Sequence, residues 1–530
     1  MNLHDLLFAA NRRASYRRAL EHSRQGAAHD EEREAEERVI RELAPRRGGF
    51  LFGGAGREAR PLNLADDAAL ASALVIGASG SGKTRFILNL LLRAIERSLL
   101  ARESGFNVEL ELVDPKQETY DLLAQYLAAM WRAADAETRD RIASSVRVID
   151  WSKEFVTPFA PFDNSAREVS NTYLAYLRTD VAIQAGDHSY SGALRQAFFM
   201  FACVLVERRF PPNYRFAMRF LDDETYRRRI LEGVADPDVR AFFTDSRHTL
   251  PKQTRDALLR RIQSDMSFPE VRLSAGIPPA ELDRLLPRRD SPIVIGNYGC
   301  SMTLPLTKGK ERASYRLIDV LLSAPRRDPR RRSLLVIDEA PMLLSEENEL
   351  TSALMEGART LRSAGMGILF AAQDFANALP SQIVRTLMLN TRWWAVFQSR
   401  EEAEWIYPHV IRPRSDLSET ERHREFVRAV QNLRRQHFYL YVKGHSALRL
   451  RAPDVPDPSH GSADELRAIF GREIASRSMV AARTAADLIA KWEAQVVDGT
   501  PSDVTNVPSQ KKRPTARGVD QLLRDLGLGK

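Results

Sequence analysis

Short apolar runs alternate with longer segments of helical periodicity through most of this chain. Runs at residues 73–76, 108–113 and 146–151 are separated by segments whose apolar residues recur at helical spacing. Buried strands that alternate with helices are typical of a parallel sheet covered by helices on both faces. The pattern returns at residues 293–297, 334–337, 367–372 and 393–397. It predicts an α/β fold with a mostly parallel sheet, built from separated parts of the sequence.

Between residues 164 and 286 helical periods dominate, and polar interruptions are frequent. This change predicts an all-helical domain inserted into the sheet domain. We therefore expect a charged helical arm at residues 1–48, a discontinuous sheet domain at 49–163 and 287–452, the inserted domain at 164–286, and a C-terminal helix with a flexible basic tail at 453–530. The opposite charges of the arm fit either a solvated helix or a helix that docks on a partner.

Several shorter elements flank the sheet domain. Strands at residues 50–52 and 61–64 are expected to lead into it, and strands at 438–442 and 448–450 to close its edge. Ser462 and Glu465 form a capping-box pattern, which begins a helix expected to run to about residue 496.

The first strand of the main sheet runs into a G-x-x-x-x-G-K-T sequence, and an apolar helix follows. This pattern is a Walker A phosphate loop, in which glycines let successive backbone N–H groups point at phosphate oxygens. Lys83 is expected to reach the β- and γ-phosphates of ATP, and Thr84 to bind Mg²⁺. The predicted nucleotide-binding residues are Gly77, Ala78, Ser79, Gly80, Ser81, Gly82, Lys83, Thr84 and Arg85.

A later strand, at residues 334–337, ends in two carboxylates, Asp338 and Glu339. This is a Walker B pattern, in which Asp338 would hold Mg²⁺ and Glu339 would orient or deprotonate the attacking water. Gln373 ends the next strand, and ligands bind at the carboxyl ends of parallel strands. Gln373 is therefore either a γ-phosphate sensor that positions water or an ordinary strand-end hydrogen bonder.

Composition narrows the class of protein. The 530 residues carry 78 Lys and Arg against 70 Asp and Glu, a net charge of +8 that alone says little about nucleic acid. The two cysteines, Cys203 and Cys300, have no metal-ligand spacing, so a disulfide scaffold or zinc site is not expected. We see no secretion signal, and the longest apolar stretch, residues 197–206, is too short to span a bilayer. A cytoplasmic protein is expected.

Together these motifs resemble the HerA/FtsK superfamily of motor ATPases, and within it the nucleotide-binding domain of type IV secretion coupling proteins, the TraG/TraD-like group. The resemblance covers roughly residues 50–451. It rests on the phosphate loop, the Asp114-Pro115-Lys116 turn, the Pro158-Phe159-Ala160-Pro161-Phe162 segment, Asp338-Glu339, the Arg362-Ser363-Ala364-Gly365-Met366 turn and Gln373.

The resemblance implies a RecA-like P-loop fold, a homo-hexameric ring, and ATP- and Mg²⁺-dependent pumping of DNA through a central channel. Arg362 matches an arginine that reaches the neighbouring subunit's nucleotide in related rings, and Arg359 is the rival candidate. Two departures stand out. Coupling proteins usually begin with membrane-spanning helices, and we see none in this sequence, so attachment to the inner membrane would depend on partners. Gln117 also replaces a glycine found in many relatives.

Arginine clusters are the candidate DNA contacts, although a solvated face is the alternative for each of them. They are Arg227-Arg228-Arg229, Arg260-Arg261, Arg288-Arg289 and Arg326-Arg327 with Arg330-Arg331-Arg332. The resemblance, together with the ordered ATPase motifs, implies a DNA translocase of conjugation or type IV secretion, with relaxase or secretion-channel partners. One alternative is a HerA-like DNA-processing or defence motor that acts with a nuclease. Another is an ATP-dependent recruitment platform for protein cargo, which the tail at residues 511–530 would suit.

Overall fold

The structure is a computed structural model of the chain. It describes residues 30–43, 49–55, 60–104, 108–150, 155–158, 188–244, 250–267, 269–285, 292–297, 332–344, 351, 354–355, 361, 365–399, 401–410, 418–455, 457–458 and 460–498. These residues form a large sheet with helices on both faces, and a group of helices with its own core.

The central sheet has eleven strands, and a second sheet has two. In chain order the strands are β1 (Phe50–Ala55), β2 (Arg60–Leu64), β3 (Ala73–Ile76), β4 (Val108–Asp114), β5 (Val146–Ile149), β6 (Phe155–Val156), β7 (Ile293–Asn297), β8 (Arg332–Ile337), β9 (Met366–Ala372), β10 (Trp393–Val396), β11 (His437–Val442), β12 (Leu448–Arg451) and β13 (Val480–Ala481). The central order is β2-β1-β12-β11-β10-β3-β9-β8-β4-β7-β5.

The helices surround this sheet or form the separate group. In chain order they are α1 (Asp30–Leu43), α2 (Asp66–Ala69), α3 (Lys83–Ser104), α4 (Glu118–Ala133), α5 (Ala136–Ser145), α6 (His188–Arg208), α7 (Tyr214–Asp222), α8 (Glu224–Glu232), α9 (Pro237–Thr244), α10 (Lys252–Met266), α11 (Pro269–Ala275), α12 (Pro279–Leu285), α13 (Pro341–Leu344), α14 (Ser381–Asn390), α15 (Ala403–Ile406), α16 (Glu419–Gln431), α17 (Ala463–Ile469) and α18 (Ala482–Trp492).

The strands from β10 to β5 pair in parallel, whereas β11, β12, β1 and β2 extend the sheet with antiparallel pairs. The predicted mostly parallel α/β fold is therefore confirmed. Because parallel strands point the same way, the residues that follow β3, β8 and β9 meet at one edge of the sheet. That edge carries the phosphate loop, Asp338 and Gln373.

Side chains of the parallel strands alternate between two cores. Val75 packs on the face covered by α3 and α4, whereas Leu74 and Ile76 pack with residues of α14 on the other face. This alternation follows from the two-residue period of a strand, and all three side chains are fully buried. Burial on both faces explains why these strands read as continuous apolar runs.

One aromatic cluster fixes α3 against the sheet. Phe86, three residues after the start of α3, packs 4.9–6.3 Å from the rings of Phe52, Trp393, Phe397 and Phe438. These rings come from β1, from β10 and the residue after it, and from β11, and all are fully buried. The helix that follows the phosphate loop is thereby held by contacts remote from it in sequence.

The position of two predicted strands differs from expectation. β11 and β12 were expected to close the sheet edge, but they lie between β10 and β1, and β2 is the last strand. The expectation was wrong because Ala55 of β1 pairs with Leu450 of β12, a contact between the two ends of the sheet domain. Local apolar patterns carry no information on such distant pairing.

The separate group of helices comprises α6 to α12. The core formed by α6 to α10 is aromatic, with Phe201, Phe216 and Phe220 fully buried, whereas α11 and α12 pack with β6, β13 and α18. The apolar stretch at residues 197–206 lies inside α6, and within the described residues no helix is both long and apolar enough to cross a membrane. The described residues between 188 and 285 contain helices and loops, and the predicted domain limits at 164 and 286 stay a prediction.

The C-terminal helix is broken rather than continuous. The capping box of Ser462 and Glu465 begins α17 as expected, but α17 ends at Ile469. After π-helical and 3-10 turns, Val480 pairs with Val156 in the β13–β6 ribbon, and α18 begins at Ala482. The expectation of one helix to residue 496 was wrong because residues 480 and 481 pair with β6, a strand distant in sequence.

The described residues 460–498, here called the C-terminal segment, contribute to three cores, in one of which Ala485 and Ile489 pack with Val156 of β6. Leu466 and Ile474 pack in the core below α4, whereas Trp492 and Val496 pack in the core of the helical group. Hydrogen bonds support the second contact, since Val496 accepts from the Tyr226 hydroxyl at 2.7 Å. The segment therefore bridges the sheet and the helical group.

Candidate nucleotide-binding and hydrolysis site

The loop of residues 77–84 follows β3, and its first two N–H groups bind the ends of β9 and β10, the strands on either side of β3. The Gly77 N–H donates to the carbonyl of Ala372 at 3.1 Å, and the Ala78 N–H donates to that of Gln398 at 2.8 Å. Gly82 adopts φ +108°, and a Cβ there would lie 2.9 Å from the Cα of Gln436. The glycine is therefore required by both the backbone conformation and the close approach of another strand end.

Two polar atoms in this loop are buried without a hydrogen bond among the described residues, the Lys83 Nζ and the Ser81 Oγ. Lys83 is the first residue of α3 and is only 6% exposed. Buried polar groups are normally satisfied, so two of them beside a helix N-terminus indicate that a ligand completes the site. An anion with several acceptor oxygens, such as a nucleotide phosphate, fits these donors.

Glu339 is the centre of the charged cluster beside the loop. Its Oε1 lies 3.6 Å from the Lys83 Nζ and 3.0 Å from the Lys116 Nζ, and accepts a hydrogen bond of 3.1 Å from the Gln373 Nε2. Glu339 also has φ +49°, a left-handed conformation that is uncommon for a residue with a side chain. The structure thus brings the predicted Lys83, Glu339 and Gln373 together, from three different elements.

The environment of Glu339 determines its charge. Burial alone would raise its pKa, but the positive charge of Lys83 and the interactions with Lys116 and Gln373 outweigh burial and lower it. Glu339 is consequently ionised at neutral pH.

Asp338, one residue earlier, has hydrogen-bond partners of its own. Its Oδ2 accepts from the Thr119 hydroxyl, and its Oδ1 accepts from the Glu339 N–H at 3.0 Å. Asp338 is 6% exposed, and its own N–H pairs with the carbonyl of Val113. These bonds fix the carboxylate at the end of β8 between β4 and β9.

Asp114, at the end of β4, organises the turn that precedes α4. Its carboxylate accepts from the N–H groups of Lys116, Gln117 and Tyr120 at 2.8, 2.9 and 2.9 Å. Burial, and then the charge of Asp338, raise the pKa of Asp114 to about 6, although the three N–H donors oppose that rise. Gln117 has φ +72°, which explains why a glycine would be favoured at this position.

The donor set for a magnesium ion is present at the same edge. Thr84 and Asp338, the two predicted metal residues, offer a hydroxyl and a carboxylate, the oxygen ligands that Mg²⁺ prefers. Mg²⁺ is usually held by one or two protein oxygens together with substrate phosphates, so the residues present fit the ion.

Glu402 is a buried acid that the sequence did not indicate. It is 1% exposed and accepts from the N–H groups of Phe375 and Ala376 at 2.7 and 3.1 Å, and from the Ser399 hydroxyl. These bonds hold the turn that follows Gln373 against the end of β10. Gln373, two residues before this turn, is itself exposed.

Gln436 is a second residue that sequence reasoning missed. It precedes β11, has φ +68°, and donates its N–H to the carbonyl of Ser81 at 2.7 Å. No local motif surrounds it, so only the antiparallel pairing of β11 with β10 brings it to the phosphate loop. Lys116, by contrast, lies in the Asp114-Pro115-Lys116 turn, which the sequence singled out without assigning the lysine a role.

Two predicted residues are not placed in this cluster. Arg362 and its rival Arg359 lie outside the described residues. Arg85 follows the loop, but its guanidinium binds the Tyr126 hydroxyl at 2.7 Å, the carbonyl of Val455 at 3.2 Å, and the carboxylate of Asp457. Any contact of Arg85 with nucleotide would therefore come from its backbone rather than its side chain.

The arginine clusters are described only in part. Arg227 donates to the carbonyls of Phe220 and Leu221, and Arg228 and Arg229 pair with Glu224 and Glu232 of the same helix. These contacts favour the interpretation of that cluster as a helix surface. The clusters at residues 288–289 and 326–331 lie outside the described residues.

Comparison with known proteins supports the fold. The sequence matches no protein-family model and no curated protein. The unbound monoclinic form of the bacterial conjugative coupling protein TrwBdeltaN70 is 16% identical with a TM-score of 0.52, covering 81% of this chain and 94% of that chain. TrwB in complex with the ATP analogue ADPNP is 16% identical with a TM-score of 0.51, covering 81% of this chain and 94% of that chain. TrwB in complex with the GTP analogue GDPNP is 15% identical with a TM-score of 0.51, covering 81% of this chain and 95% of that chain.

At these identities the likeness establishes the fold. The chain shares the RecA-like fold of these TrwB structures, which confirms the predicted fold class.

Proposed function

We propose that this chain is an ATP-hydrolysing motor that translocates DNA in conjugation or type IV secretion. One observation carries the proposal: Lys83, Glu339 and Gln373 converge beside the phosphate loop, and the buried Lys83 Nζ has no hydrogen bond among the described residues. The fold it shares with TrwB, which binds a non-hydrolysable ATP analogue, supports the same conclusion.

The residues divide the work of hydrolysis. The N–H groups of residues 77–84 bind the phosphates, and Lys83 leaves Glu339 to neutralise the β- and γ-phosphates. Glu339 then orients the attacking water and accepts its proton, while Gln373 holds the carboxylate and senses the γ-phosphate. Mg²⁺, held by Thr84 and Asp338, would supply electrostatic stabilisation of the transferring phosphoryl group.

We further propose that the active form is a homo-hexameric ring located in the cytoplasm, with DNA in its channel and relaxase or secretion-channel proteins as partners. In such a ring Arg362 would complete the neighbouring subunit's site, because an arginine supplied in trans stabilises charge on the transferring phosphoryl group. Arg359 is the alternative. Sizing the protein with ATP and DNA tests assembly, and a chain that stays monomeric under both conditions would contradict it.

The test of translocation is ATP-dependent displacement of a triplex-forming oligonucleotide from duplex DNA, measured together with DNA-stimulated ATP hydrolysis. Wild-type protein should displace the oligonucleotide only when ATP is present. Lys83→Ala should neither displace it nor hydrolyse ATP. Hydrolysis that is unaffected by single- or double-stranded DNA would overturn DNA pumping and favour delivery of protein cargo.

A further inference from the structure

Two lysines from different elements share one oxygen of Glu339. Lys83 belongs to the phosphate loop, and Lys116 belongs to the turn between β4 and α4. The Nζ of Lys116, at 3.0 Å, is the nearer of the two, since that of Lys83 lies at 3.6 Å. Hydrolysis as proposed above needs Lys83 on the phosphates, so only one of these lysines remains with Glu339 once ATP is bound.

The turn that carries Lys116 is fixed independently of nucleotide. The carboxylate of Asp114 accepts the N–H groups of Lys116 and Gln117, and Asp114 itself is fully buried. The side chain of Lys116 is 38% exposed, so it reaches Glu339 from the solvent side, whereas the side chain of Lys83 is 7% exposed. Lys116 therefore approaches Glu339 from outside the phosphate loop.

Charge makes the remaining lysine necessary. Without Lys116, binding of ATP would leave the Glu339 carboxylate beside the γ-phosphate with only the neutral amide of Gln373 as a described partner. Two like charges in a partly buried site repel strongly, and the carboxylate would turn away from the phosphate. A cation at the Oε1 opposes that movement.

We propose that Lys116 is a positioning residue for hydrolysis, which keeps the Glu339 carboxylate directed at the γ-phosphate after Lys83 has moved to the phosphates. The inference rests on the proposed ATPase function. Lys116 acts through Glu339 and not on the nucleotide, so it belongs to the chemical step rather than to binding.

The test compares Lys116→Met, Lys116→Arg and a matched control, Lys443→Met. Lys443 follows β11, whose antiparallel pairing with β10 places it at the opposite end of the parallel strands, where its Nζ binds the carbonyl of Leu389. In Lys116→Met, kcat should fall about tenfold to hundredfold, as expected for a misdirected catalytic group. KM for ATP should change less than about threefold because ground-state binding is unaffected. Lys116→Arg should recover most of kcat, and Lys443→Met should behave as wild type.

A second measurement separates positioning from phosphate binding. Displacement of a fluorescent nucleotide by ADP should give the same Kd for Lys116→Met as for wild type, while Lys83→Ala should bind ADP at least about tenfold more weakly. The double variant Lys116→Met, Glu339→Gln should hydrolyse ATP no more slowly than Glu339→Gln alone, since residues that act as a unit are not additive.

Three results would overturn the inference. A kcat for Lys116→Met within twofold of wild type, with Glu339→Gln still inactive, removes Lys116 and leaves the ATPase function intact. A loss of ADP binding equal to that of Lys83→Ala makes Lys116 a phosphate ligand instead. A wild-type chain without ATP hydrolysis overturns the proposed function and this inference with it.

Discussion

The carboxyl edge of the sheet and the group of helices α6–α12 differ in the kinds of side chain that they bury. At the sheet edge, Lys83, Asp114 and Asp338 are buried charged groups, and Glu339 adopts an uncommon backbone conformation. In the helical group an aromatic core dominates, and the helices begin with ordinary caps such as Asp223 at the start of α8. Buried charge and backbone strain are costly, and they persist where the surrounding structure holds them for a chemical purpose.

The two regions are nevertheless connected. The C-terminal segment places Trp492 within 5.6 Å of the Phe210 ring in the helical group, and Leu466 in the core below α4. Just before it, Asp457 binds Arg85, the residue after Thr84. The comparison therefore predicts that substitutions of the proposed catalytic groups at the sheet edge change catalysis with little effect on stability. Substitutions in the helical group should do the reverse.

The largest expected effect is that of Glu339→Gln. Loss of the base should lower kcat about 10²–10⁴-fold, the usual contribution of a positioned acid or base. The amide has nearly the same size, so the urea midpoint should stay close to that of wild type. Steady-state hydrolysis and urea unfolding check both statements, with the exposed Glu425→Gln as control. Retained activity would show that the base lies elsewhere.

Phe216→Ala tests the helical group. Phe216 is fully buried and contacts the rings of Phe201, Phe210, Phe220 and Trp492, with further aromatic contact from Tyr226. The cavity should lower the free energy of unfolding by about 3–5 kcal/mol. Met218→Ala, on the exposed side of the same helix, should cost less than about 0.5 kcal/mol. A large loss of kcat per folded molecule in Phe216→Ala would contradict the expected difference between the two regions.

The third effect depends on pH. The pKa of Asp114 is raised to about 6, so the folded chain binds that proton more tightly than the unfolded chain does. The resulting stabilisation is complete below the ordinary pKa of 3.8 and is lost as the pH rises through about 6.

Asp114→Asn removes this titration. Between about pH 4 and pH 8, the free energy of unfolding of Asp114→Asn should therefore rise by about 2.4 kcal/mol relative to wild type. Urea titrations without nucleotide or magnesium measure it. Parallel pH profiles for the two proteins would show that Asp114 does not titrate in this range.

The smallest effect concerns a helix cap. The Asp223 carboxylate accepts from the Tyr226 N–H at 2.9 Å, so Asp223→Ala should cost about 1 kcal/mol of stability. Glu224→Ala, which loses only the exposed pair with Arg228, should cost about 0.3 kcal/mol. Hydrolysis per folded molecule should be unchanged in both. Equal costs for the two variants would argue against the cap.

The sequence predicts the parts of the site that local motifs encode. The loop at residues 77–84, the Asp338-Glu339 pair and Gln373 were each identified from a strand end and its following residues, and the parallel order of β3, β9 and β8 brings them together. Their catalytic and binding roles stay predictions until they are measured. Gln436 could not be found this way, because it reaches the loop through the pairing of β11 with β10.

The same physical reason explains the errors in the fold. β12 lies inside the sheet because it pairs with β1, and the C-terminal helix is interrupted because residue 480 pairs with residue 156. Each error arises from contact between residues far apart in sequence, whereas the apolar periodicity that predicted the elements reports only on neighbours.

The most direct test of the central claim is the structure of the protein with Mg²⁺ and a non-hydrolysable ATP analogue. The account predicts that the phosphates lie within residues 77–84 and that the Lys83 Nζ moves from Glu339 to the β- and γ-phosphates. Glu339 should remain in contact with Lys116 and Gln373. An analogue bound away from this loop, or a Lys83 still paired with Glu339, would contradict it.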